Sequence, residues 1–273
     1  MFDVICEMFS FTFMQRALIV GILVSLCAAL LGVSLVLKRY SMIGDGLSHV
    51  GFGALALATV MNMAPLAVAI PVVVASAFLL LRLSENSKIK GDSAIALIST
   101  SALAFGVLAV SVTTGVNTDI FNYMFGSILA MKQSDVFLSI ALSVVVIVLF
   151  LVFYNKIFAV TFDETFARAT GTHAGLYNML IAFLTAITIV LGMRMMGALL
   201  ISSLIVFPTL TSMRIFKSFK AVVISSAVIS VLCFLVGITV SYVYSAPTGA
   251  SVVMANLACF AVFSLIAVIK RHK

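Results

Sequence analysis

Long apolar runs broken by short polar or basic punctuation recur along the whole chain. About 20 apolar residues suffice to cross the hydrocarbon of a bilayer. The pattern therefore predicts about nine spans, near 17–37, 42–62, 64–82, 92–115, 134–155, 174–193, 195–214, 220–244 and 249–269. Only Arg194 separates the sixth of these from the seventh, which carries Pro208. Residues 119–131, "DIFNYMFGSILAM", are too short to cross and are expected to form a short interfacial or re-entrant helix, and the Phe- and Met-rich residues 5–15 to lie in the interface. The fold class this implies is all-α: a polytopic helical bundle forming a single transmembrane domain over 1–273, without room for a separate globular unit.

Composition supports that reading. The chain is 63% hydrophobic and 9% charged, where soluble domains carry roughly 25% charged residues. The four cysteines are scattered, three within apolar runs, with no CxxC or Cys/His spacing, so they read as small apolar residues. No basic flank or small-residue cleavage site precedes the first long run, so a removable signal peptide is not expected. HExxH, a Walker A loop and a GxSxG elbow are all absent, and three histidines are too few for a multi-His centre, which disfavours an intramembrane enzyme.

The net charge of +7 reads as topology, with no nucleic-acid footprint. If the C-terminal "KRHK" is cytoplasmic and nine spans alternate backwards from it, thirteen of the sixteen Lys and Arg residues fall inside. Arg16, Lys132 and Arg194 alone fall outside. By the positive-inside rule the N-terminus then faces out and the C-terminus the cytoplasm.

Two polar interruptions carry candidate chemistry. In "SMIGDGLSHVGFGALA" (41–56), Asp45 and His49 stand at i and i+4, on one face of a helix. An ionisable group at membrane depth is costly and usually faces a bundle interior or an aqueous path. Carboxylate and imidazole together suit a divalent transition metal. The plainer alternative is an Asp in a helix's first turn near the headgroups with a hydrogen-bonded His beside it. Asp119, near Asn117, Thr118 and Asn122, is a weaker candidate for the outer part of a path. The second interruption, 156–173, is the most polar stretch. Within it Asp163, Glu164, Phe166, Ala167, Arg168 and Gly171 fit a short helix ending at a glycine cap, either a docking surface or a solvated connector. Arg194 and Pro208 read as a turn marker and a packing kink.

"LKRYSMIGDGLSHVGFGALALA" (37–58) resembles the signature of the membrane permeases of zinc and manganese ABC importers, the ABC-3 family, in which a basic turn leads into Gly-Asp-Ala-Leu-Ser-His. Here Gly46 stands where alanine is usual, and no proline follows the histidine. The segments 9–39, 91–111, 121–131, 162–172, 195–215 and 246–260 resemble further family blocks in the family's order. The resemblance implies a fold like the vitamin B12-type importer and a homodimer in a bacterial plasma membrane, with the path along the dimer axis. It further implies cytoplasmic ABC ATPase subunits as a separate ATP-hydrolysing partner, and an extracytoplasmic metal-binding protein that delivers the ion. On that resemblance Asp45 and His49 form a transient ion site, and residues 161–172 hold a coupling helix for the ATPase. No permanently bound cofactor is implied. Zinc is preferred slightly over manganese or iron as the transported ion. Readings from other classes are an ion-coupled secondary transporter with Asp45 protonatable, and a scaffold without transport.

Overall fold

The computed structural model describes residues 10–86, 91–113 and 133–271, and its described residues form helices and connecting turns without a strand. In chain order the helices are α1 (Thr12–Leu37), α2 (Ile43–Val60), α3 (Pro65–Asn86), α4 (Gly91–Thr113), α5 (Gln133–Val152), α6 (Tyr154–Phe162), α7 (Glu164–Ala169), α8 (Ala174–Met196), α9 (Ala198–Met213), α10 (Phe219–Tyr244) and α11 (Thr248–Arg271). Eight of these, α1 to α5, α8, α10 and α11, are long and apolar enough to cross a membrane. The expected short helix at 119–131 and Asp119 lie outside the described residues, as do residues 1–9.

The seventh expected span is shorter than anticipated. α9 has 16 residues, about 24 Å of helix, and the break before it falls at Gly197 instead of at Arg194, which sits in the last turn of α8. Gly197 takes φ +88°, ψ 160°, a region essentially reserved for glycine. The chain reverses there. A Cβ on Gly192 would collide with Ile201, so α9 folds back along α8 as a hairpin. Pro208 does not break α9, which remains helical from Ala198 to Met213.

α1, α2 and α8 form the centre, each with 72% of its most apolar stretch buried, whereas α11 buries 11%. The outward faces of α4, α5 and α11 are apolar, with Leu97, Phe105, Phe137, Leu151, Met254 and Leu265 all exposed. Inside a bilayer such packing gains little from the hydrophobic effect and rests on close approach and hydrogen bonds. Gly53 and Gly106 supply the close approach between α2 and α4. A Cβ on Gly106 would stand 2.6 Å from the Gly53 Cα, and one on Gly53 would collide with the Ala102 carbonyl oxygen. Hydroxyls supply the bonds: Ser230 donates to the Ser25 carbonyl at 3.0 Å and Ser226 to that of Pro208 at 3.3 Å.

The polar stretch 156–173 holds two helices where one was expected. α6 continues past α5 after a turn at Phe153, and α7 follows at Asp163. Phe219, at the start of α10, packs its ring on Tyr154 and Phe158 of α6 with centroids 5.6 and 5.0 Å away. The end of α1, the start of α2, α6, α7, the start of α8 and the start of α10 therefore share one end of the bundle. The ends of α9 and α11 join them, since Arg214 and Lys270 line one surface groove and Arg214 lies 5.1 Å over the Phe260 ring.

Candidate functional site

α1 ends because Arg39 turns left-handed, at φ +63°. The Tyr40 and Arg39 amides then bond back to the Leu35 and Val36 carbonyls at 2.8 and 3.1 Å, a Schellman closure. A non-glycine residue in that region costs about 1–2 kcal/mol, so this turn is held by its surroundings. Four residues later α2 begins, and Asp45 lies in its first turn, where a carboxylate complements the helix dipole.

The structure brings Asp45 and His49 together on one face of α2, as their spacing requires. His49 Nε2 stands 3.7 Å from Asp45 Oδ2, too far for a hydrogen bond, and neither group is committed to another described residue. Their side chains are 32% and 49% exposed on the surface of the single chain, so the deep burial that motivated a ligand role is only partial here. Behind them the helix is sealed: Leu47, Ser48, Val50 and Phe52 are buried, and Ser48 donates to the Asp45 carbonyl at 2.7 Å. No cluster of three or more His, Cys, Asp or Glu side chains exists among the described residues. One chain thus offers a carboxylate and an imidazole facing outward, half of a four-coordinate ligand set.

At the same end, α7 matches its sequence signature closely. Asp163 caps it by accepting from the Phe166 amide at 2.9 Å. Gly171, at φ +79°, closes it with Thr172 N–H to the Ala167 carbonyl at 2.9 Å and Gly171 N–H to that of Arg168 at 3.0 Å. Ala167 is fully buried against Val160 and Ala174, while Phe166 and Phe162 are 65% and 74% exposed. A groove of about 510 Å³ opens beside it, lined by Arg168, Gly171, His173 and Leu176.

The sequence pattern marks Glu164 as part of α7 but gives no such sign for its partners Lys38 and Asn178. Lys38 Nζ donates to Glu164 Oε2 at 3.1 Å and to Asn178 Oδ1 at 2.5 Å. Asn178 Nδ2 donates to the same Oε2 at 3.1 Å, and Arg168 Nη2 donates to Oε1 at 2.6 Å. Burial pushes the Glu164 carboxyl up, but the hydrogen bonds from Asn178, Arg168 and Lys38, with the Lys38 charge, outweigh it and hold the pKa down at about 2. In the sequence Lys38 reads only as a topology charge. Arg194, read as a turn marker, instead donates to Asp135 of α5 through Nε at 3.2 Å and Nη2 at 2.8 Å.

The chain thus has a multi-pass bundle with a capped two-helix appendage on one end and a half-exposed carboxylate–imidazole pair near that end. A sequence profile of the ABC 3 transport family matches residues 10–269, and the chain belongs to that family. It is 28% identical to the manganese import system permease protein ScaB of Streptococcus gordonii, covering 96% of this chain and 94% of that protein. It is 29% identical to the high-affinity zinc uptake system membrane protein ZnuB of Haemophilus influenzae, covering 96% and 99%. Among solved structures, a chain of PsaBC from Streptococcus pneumoniae in complex with Fab superposes with a TM-score of 0.85 at 28% identity, covering 96% of this chain and 94% of that one.

Proposed function

We propose that this chain is the membrane permease of an ATP-driven importer of a divalent transition metal. The observation that carries the reading is the pairing of Asp45 with His49 on one exposed face of an otherwise sealed helix, in a member of this family. An importer needs a site that replaces part of the ion's hydration and still releases it. One carboxylate and one imidazole per chain bind more loosely than a closed four-ligand site, and a second copy across a two-fold axis would complete the set. The exposed apolar faces of α4 and α11 leave surface for such a homodimer. Among the described residues, every Lys and Arg except Arg16 and Arg194 lies at the α7 end. The positive-inside rule makes that end cytoplasmic, with the C-terminus in and the N-terminus out. α7 then faces a separate ATPase subunit, which supplies the ATP hydrolysis, and the opposite end faces an extracytoplasmic metal-binding protein.

Mixed oxygen and nitrogen donors accommodate both zinc and manganese, and the two named relatives divide between them. The test is uptake into proteoliposomes containing the permease, its ATPase and its binding protein, with zinc and manganese offered singly and in competition. Asp45→Ala and His49→Ala are expected to lose uptake of the preferred ion at least tenfold while assembly and basal ATP hydrolysis persist. Wild-type uptake in both variants would make the pair structural and sink the site assignment.

A further inference from the structure

Lys38, Glu164 and Asn178 close a three-membered ring that joins the end of α1, the start of α7 and the second turn of α8. Two cations hold Glu164, and they are not equivalent. Arg168 sits on α7 itself, four residues on, with its side chain 60% exposed. It staples α7 internally, a weak contact on an exposed helix. Lys38 reaches across from another element, and its side chain is 10% exposed. Of the two, only Lys38 ties α7 to the turn that leads into Asp45.

That turn is built to carry a displacement. From Lys38 to Asp45 the chain has no slack: a Schellman closure with left-handed Arg39 ends α1, Tyr40 accepts from the Ile43 amide at 3.0 Å, and Met42 accepts from that of Gly46 at 3.0 Å. A shift of the Lys38 end is therefore delivered to the first turn of α2 and not absorbed in a loop. Beside the ring lies a cavity of about 20 Å³ lined by Leu35, Ile43, Leu47, Leu81 and Ile181. It is room on the scale of one water or methyl group, into which the first turn of α2 can repack.

We infer that the Lys38–Glu164–Asn178 ring is the positioning clasp through which movement of α7 reaches the Asp45/His49 face, with Glu164 as its sending residue and Lys38 as its receiving one. The inference rests on reading α7 as the ATPase docking helix and α2 as the ion helix. Energetic coupling requires an element whose arrangement both sites bias. The α1–α2 turn is that element, since α7 holds it on one side and a bound ion would hold it on the other.

The experiment uses the reconstituted permease–ATPase complex and two readouts. The first is hydrogen exchange of residues 38–50 with and without ATP and vanadate, which needs no knowledge of the ion. The second is the number of ions taken up per ATP hydrolysed. Lys38→Met and Glu164→Gln remove one charge each at nearly constant length. Lys217→Met, which removes an exposed charge at the same end outside both the ring and α7, serves as control. In wild type, nucleotide trapping should alter exchange across 38–50. Both ring variants should lose most of that response and at least about fivefold in ions per ATP, the lower end of ordinary coupling, and the double variant should be no worse than the worse single. The swap Lys38→Glu with Glu164→Lys should recover part of both readouts. A wild-type nucleotide response and unchanged ions per ATP in both ring variants would overturn the clasp. So would an equal loss in Lys217→Met, or a wild type whose residues 38–50 ignore nucleotide. A ring that merely glues α7 to the bundle would reduce the yield of assembled complex but not the ratio in what assembles. Wild-type complex that answers nucleotide across 38–50 but takes up no metal would sink the transport reading, and with it the ion end of the clasp, while leaving the mechanical link from α7 to the α1–α2 turn standing.

Discussion

α8 meets an ion pair near each end, through Asn178 at its start and through Arg194 at its finish, and the two are built differently. Near its start, Asn178 joins a ring in which Glu164 uses both oxygens, accepts from three side chains and keeps 33% of its side chain in contact with solvent. Near its finish, Arg194 and Asp135 face each other alone among the described residues, with 11% and 17% of their side chains exposed. Two charges taken out of water gain little net stability from each other, yet either one left alone is severely penalised. At a wet edge the penalty is lower, because water can take over the orphaned group. The Arg194 pair is therefore a fastener that tolerates no half-removal, and the Glu164 ring is a contact that can be remade.

The largest expected effect follows at the fastener. Asp135→Leu or Arg194→Leu alone should cost about 3 kcal/mol of stability, while the double Leu variant should recover most of it. Apparent melting temperatures of the purified protein, run as a double-mutant cycle, check this. Additive losses would mean that the pair is not an isolated buried unit, and the contrast between the two ends would dissolve.

How much of this was legible beforehand divides along the same line. Hydropathy predicted nine spans, and eight of them are membrane-length helices among the described residues, because crossing hydrocarbon is a local requirement that each segment must meet alone. The glycine cap of α7 was equally local, since Gly171 ends the polar run, whereas Asp163, read as part of the helix, turns out to be its N-cap. The Asp45/His49 face was legible from i,i+4 spacing, although its outward exposure was not. Long-range choices left no such mark. Lys38 finds Glu164 across 126 residues and Arg194 finds Asp135 across 59, and in a chain this poor in acids each basic residue reads first as a topology charge. The α8–α9 boundary was misplaced at Arg194 for a related reason. A charge between apolar runs looks like a loop, but this one was neutralised by a distant partner and could remain helical. The true break needed only the positive φ of Gly197. α6 was missed because a short helix packed through Phe219 has no full-length apolar run to betray it.

A smaller effect sharpens the contrast through pH. The Glu164 carboxyl is held from its ordinary 4.5 down to about 2, so the folded chain takes up a proton there less readily than the unfolded chain. The stability this adds is complete above about pH 5 and drains away as pH falls toward 2. Wild type and Glu164→Gln should therefore differ most in apparent melting temperature at neutral pH, narrow below about pH 5, and converge only as pH approaches 2. A gap independent of pH would mean that Glu164 contributes packing and not charge.

The smallest expected effect isolates the appendage from the ring. Gly171 holds φ +79° with nothing within 4 Å of where a Cβ would stand, so Gly171→Ala meets no clash and pays only for the left-handed backbone, about 1 kcal/mol. If the ring holds α7 onto the bundle independently of its cap, that strain should loosen the turn at 170–173 and leave the exchange of residues 38–50 at its wild-type rate. Hydrogen exchange over both segments in the same sample reads the two together. Faster exchange at 38–50 in Gly171→Ala would show that the cap, and not the ring alone, seats α7. The clasp would then extend to the C-terminal end of the helix, and the two ends of α8 would differ in degree more than in kind.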